Sequence, residues 1–160
     1  MGMEHNQTMY YGILYDVDDL LKVVPEFKNY FIKKIQKKIQ KNEEKITYMM
    51  SKMKNEQIMY SIEKYNNETE SYKKDIIDIN NDTFDYDNCV NNISDGDFPL
   101  CINEMYIYVP DYGNCTEREQ FIYGIEIDDG DEIDEFIEMT QKFKNITKEK
   151  PTFIIIESYG

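Results

Sequence analysis

Five short apolar runs rich in β-branched and aromatic residues alternate with segments of helical period, and that order constrains the fold of the 160-residue chain most. "MYYGILY" (9–15), "KITYMMSK" (45–52), "EMYIYVP" (104–110), "QFIYGIEI" (120–127) and "PTFIIIES" (151–158) have the length and residue types of strands. From Pro25 onward Phe27, Phe31, Ile35 and Ile39 recur every four residues with Ile32 beside them. Lys28, Lys33, Lys34, Lys37, Lys38 and Lys41 fill the other face, which predicts an amphipathic helix opened by proline. "DEIDEFIEMTQKFKNI" (131–146) predicts another through Ile133, Phe136, Ile137 and Phe143, whereas "NEQIMYSIEKYN" (55–66) fits a helix or an alternating strand. Strands separated by helices imply βαβ units, so the expected fold is α/β: a three-layer, Rossmann-like domain with a mainly parallel central sheet.

The length suits one domain over 1–160. Residues 66–103 read as an acidic insertion or cap-like segment within it, because Asp75 to Asp97 holds seven Asp and no Lys or Arg. The chain has no Ala, one Arg against 17 Lys, and abundant Asn, Ile and Tyr, the mark of AT-rich codon usage rather than of a fold.

Chemistry is narrowed by what is scarce. Cys89, Cys101 and Cys115 are widely spaced and His5 is the only histidine, so no close ligand pairs for zinc and no histidine-assisted nucleophile are expected. Carboxylates, hydroxyls and lysines remain. A formal charge of −14 opposes non-specific attraction to nucleic acid or anionic lipid. No run approaches the ~20 apolar residues of a membrane span, and "MGMEHNQTMYYG" lacks the regions of a signal peptide, so the reading is a cytoplasmic protein without a membrane partner. Gly2 does not make a myristoylation site, because Asn6 occupies its Ser/Thr position.

Two acidic clusters follow apolar runs: Asp16, Asp18 and Asp19 after 9–15, and Asp128, Asp129 and Asp131 after 120–127. In a parallel sheet with the two strands adjacent, both clusters would meet beyond the carboxyl ends, where hard oxygen ligands suit Mg²⁺.

With that order of elements, "ILYDVDDLL" resembles the first motif of the haloacid dehalogenase-like superfamily, an apolar strand ending in Asp-x-Asp. "ITYMMS" resembles the second motif, which ends in Ser or Thr, and "FIYGIEIDDGDEIDEF" the acidic fourth; the resemblance covers 9–66 and 119–158. It implies a Mg²⁺-dependent phosphatase or phosphotransferase acting on a phosphorylated small molecule or macromolecule through an aspartyl-phosphate. Asp16 would be nucleophile and Asp18 general acid and base. Asp16, Asp18, Asp128 and Asp129 would surround the metal, Ser51 would bind phosphoryl oxygens, and Arg118, Lys73 or Lys74 would neutralise them. The sequence departs from the family at Leu20, where Thr or Val is usual, and at Ile127, where Gly is usual. The alternative reading is a non-catalytic acidic protein, an inhibitor, immunity or anti-defence factor or nucleic-acid mimic, working on a basic protein partner, or a structural subunit.

Overall fold

The first apolar run becomes β1, His5–Asp16, and it lies inside a five-stranded sheet rather than at the start of a crossover. The computed structural model describes residues 5–52, 55–86, 98–110, 120–128 and 130–159. Its contacts separate a sheet unit, Met1–Pro25 with Asp85–Gly160, from a helical unit, Glu26–Phe84.

In the sheet unit β1 is followed by α1 (Val17–Val23), then β2 (Leu100–Ile102), β3 (Met105–Tyr108), β4 (Gln120–Glu126), α4 (Ile133–Thr147) and β5 (Thr152–Tyr159). The sheet order is β2-β3-β4-β1-β5, and every pairing is antiparallel. This overturns the mainly parallel, Rossmann-like sheet, and the cause lies in the connections. A parallel neighbour needs a helical crossover. Here β2 and β3 are joined by a two-residue turn in which Asn103 and Glu104 both have positive φ, 55° and 65°, as a tight hairpin of this kind requires. The segment that would have supplied the first crossover is instead the separate helical unit.

One face of the sheet is covered by α4. Tyr11, Ile13 and Tyr15 of β1 alternate onto one side, where the register Ile13↔Tyr123 and Tyr15↔Phe121 sets Tyr123 and Phe121 of β4 beside them. The Phe136 ring stands edge-on 5.2 Å from Tyr11, and Phe143 stands 5.7 Å from Tyr123. Tyr11 is also hydrogen-bonded to Thr140. Phe121, Tyr123, Phe143, Met105 and Ile107 are completely buried, so this layer is the unit's core.

In the helical unit a 3₁₀ turn at Pro25–Phe27 runs directly into α2, Lys28–Met50, followed by α3, Glu56–Asn80. The run 45–52, expected as a strand, is the C-terminal end of α2. Its Thr47 turns its hydroxyl onto the Glu43 carbonyl four residues earlier (2.9 Å), the bond that a helical threonine makes in one of its two rotamers. The ambiguous run 55–66 is helical, opened by Asn55, whose side chain accepts the Ile58 amide at 2.9 Å. α2 and α3 are antiparallel: Lys38 lies over the Tyr72 ring, Asn42 bonds Glu68 and Thr69, and Lys45 lies over Tyr65. α3 carries residues 66–80, the first part of the segment read as an insertion, and 87–97 lie outside the described residues.

Candidate functional site

Antiparallel pairing decides how the acidic clusters stand to each other. Asp16 ends β1 opposite Gln120, the first residue of β4, whose side-chain amide donates to its carboxylate at 3.3 Å. Asp128 follows the other end of β4, where the Ile127 amide donates to the Met9 carbonyl at 2.8 Å. Seven residue steps along β1 separate Met9 from Asp16, ~23 Å at the usual rise. The two clusters occupy opposite ends of the sheet.

Each cluster starts a helix. Asp16 is the N-cap position of α1, with Asp18 and Asp19 in its first turn. Asp128 and Asp131 close a turn ahead of α4: the Asp128 amide donates to the Asp131 carboxylate at 2.8 Å, and Asp134 and Glu135 occupy the first helical turn. Carboxylates in these places are favoured by the helix dipole.

Of the acidic residues implied by the resemblance, those described in the sheet unit are not brought into one constellation. Asp16 and Asp18 stand at one end of β1 and Asp128 at the other. Ser51, expected at a strand end, is the C-cap of α2 in the helical unit and donates its hydroxyl to the Tyr48 carbonyl at 2.6 Å. Lys73 pairs with Glu70 on α3. Arg118 and Asp129 lie outside the described residues. Among the described residues no group of three or more His, Cys, Asp or Glu is placed to hold a metal ion, and Asp16, Asp18 and Asp128 do not fit a shared Mg²⁺.

No family model matches this chain, nor does any curated protein or solved structure.

Charge is partitioned between the units. Glu26–Phe84 holds twelve lysines against ten carboxylates, a formal +2, and the sheet unit holds six basic against 22 acidic residues, a formal −16. The whole-chain value of −14 hides this division. In the sheet unit Asp16, Asp18, Asp19, Asp128, Asp131, Glu132, Asp134, Glu135 and Glu138 are all exposed.

Interactions without a sequence signature also emerge. The Tyr15 hydroxyl, its pKa pushed well above the ordinary phenol value by burial and then by the Glu149 carboxylate, donates to Glu149 at 2.9 Å. Tyr108, pushed up to about 12 chiefly by burial, accepts the Glu126 amide at 3.1 Å. On α3, Glu56, Met59, Tyr60, Ile62, Glu63 and Asn66 line a shallow depression of about 450 Å³, with Met59 and Tyr60 largely exposed. No helix is long and apolar enough to cross a membrane among the described residues.

Proposed function

We propose that this chain is a non-catalytic binding protein whose acidic sheet unit docks a basic protein partner. The observation that carries the reading is the formal −16 of that unit, with its described carboxylates spread over exposed helix starts at both ends of β1. The described carboxylates are exposed and dispersed rather than converging on one point. They sum into a negative field that steers and retains a positively charged surface. The helical unit, near neutral, contributes little to that field.

A fluorescent lysine-rich peptide of about 20 residues tests this. Its dissociation constant should rise ~10-fold or more between ~50 and ~200 mM salt, as screened surface pairing does. Neutralising Asp128, Asp131, Asp134 and Glu135 together should weaken binding, while changing Lys33, Lys37 and Lys38 to Gln should not. Binding indifferent to the carboxylates would overturn the proposal. So would Mg²⁺-dependent hydrolysis of a phosphate ester that disappears in Asp16→Asn.

A further inference from the structure

Beyond that reading, we infer that the β5 edge of the sheet unit, with the flank of α4 beside it, is a self-association surface that takes a second copy of this chain. β5 is a terminal strand of the sheet, and among the described residues it pairs with β1 on one side and has no strand beside it on the other. Long edges of this kind are usually shielded by charge, proline or a covering element. This one, "TFIIIESY", carries a single charge, Glu157, toward its end, while Phe153 and Ile155 before it are 59% and 49% exposed.

The helix above it continues the apolar strip. Lys142 pairs with Glu104 in the β2–β3 turn, so that flank of α4 looks toward the β2 edge. At 100° per residue Ile133, Ile137 and Lys144 lie on the opposite flank, toward β5. Ile133 is 77% and Ile137 63% exposed.

The choice of a second copy comes from charge. The first half of the α4 segment carries Asp131, Glu132, Asp134, Glu135 and Glu138, and the last part carries Lys142, Lys144, Lys148 and Lys150 against Glu149 alone. A two-fold axis perpendicular to the sheet near Ile155 would pair β5 antiparallel with itself and set the two α4 helices antiparallel. It would run the acidic first half of each α4 beside the basic last part of the partner's, Lys144 on the flank and Asp134 on its solvent side, with Ile137 near the axis. The net negative charge of each unit opposes this and keeps the dimer weak, the more so at low salt, where charges beyond ~8 Å are less screened. A strip ~26 Å long, from the strand rise, and ~20 Å deep covers on the order of 500 Å² per copy. The total, ~1,000 Å², is the lower bound of a specific interface and fits a weak dimer of micromolar affinity.

Sedimentation of the full chain from ~1 to ~200 µM, concentrations spanning that affinity, should show reversible conversion to twice the 19.2 kDa chain mass. Ile137→Asp, at an exposed position that leaves the fold intact by circular dichroism, should weaken the dimer at least ~10-fold, and so should Lys144→Glu. Lys144→Glu combined with Asp134→Lys restores opposite charges in both symmetry-related contacts and should recover affinity to within ~3-fold of the starting protein. A chain monomeric throughout that range overturns the inference. A dimer untouched by Ile137→Asp, or a charge swap that rescues nothing, overturns it equally.

Discussion

Gly12 and Gly124 face each other across β1 and β4, and a Cβ built on either would stand 2.3 Å from a carbonyl oxygen of the opposite strand. Both positions are buried, and the atoms met are backbone, which cannot swing aside. Tyr106 continues the same row across β3, opposite Gly124, and its ring lies 5.8 Å from Tyr108, so aromatic side chains flank the bare stretch. Gly12→Ala and Gly124→Ala should therefore each destabilise the sheet unit by on the order of 3 kcal/mol, the upper range for overpacking. Urea unfolding followed by circular dichroism measures it; a loss below ~1 kcal/mol would mean the strands separate easily at this point.

The strand-forming runs of β1, β3, β4 and β5 are visible in the sequence because apolar, β-branched residues cluster between polar breaks. Their direction is not, because an apolar run reads the same in either orientation. Direction was set by connections: a two-residue turn at Asn103-Glu104 that carries no glycine, and a helical pair where a crossover was expected. "KITYMMSK" misleads because Ile46, Thr47 and Tyr48 favour strands in isolation, whereas the tertiary setting extends α2 through them. The same loss of direction undoes the acidic site. Asp16 is legible as a strand terminus, but the pairing alone puts Asp128 at the far end. Charge partition was legible in principle, once the boundary near Glu26 and Phe84 is known.

Separation of the acidic ends predicts indifference to magnesium. A thermal scan with millimolar Mg²⁺ and beryllofluoride should leave the melting temperature within ~1 °C, since a ligand without a native-state site gives no stabilisation. Asp16→Asn should behave like the unsubstituted chain in that scan. A rise of several degrees that Asp16→Asn abolishes would show Asp16 taking part in a metal site.

Asn42 is buried within the helical unit, and its amide donates to Glu68 at 3.2 Å and to Thr69 at 3.4 Å, while Tyr72 donates to the same Glu68 oxygen at 3.0 Å. These donors, Asn42 first, hold the Glu68 carboxyl below its ordinary 4.5. A depressed carboxyl contributes stability that is present above the unfolded value and lost as pH falls through the folded one. Asn42→Ala should cost about 1–3 kcal/mol at neutral pH and move the Glu68 titration, read by NMR, back upward. Glu68→Gln keeps an acceptor and should flatten the acid limb of the stability profile below pH ~4.5. An unmoved Glu68 titration in Asn42→Ala would separate the two residues in solution.

Tyr15 and Tyr108 bear on the alkaline limb. Burial leads in both: it raises Tyr108 to about 12 and, with the Glu149 carboxylate, holds the Tyr15 proton well above the ordinary phenol value of 10.0. Unfolded phenols ionise near 10, so between ~10 and ~12 the unfolded chain releases protons that the folded chain retains. The associated stability is complete below pH ~10 and falls as pH rises, the sign of a group whose folded value is raised. Absorbance at high pH should resolve phenols that ionise only as the sheet unit unfolds. Tyr15→Phe removes one of them and leaves Glu149, which is exposed, in contact with water. It should cost less than ~1.5 kcal/mol at neutral pH, the worth of one hydrogen bond, and make the alkaline decline shallower. An alkaline limb identical in Tyr15→Phe would place the Tyr15 hydroxyl in solvent, without its bond to Glu149.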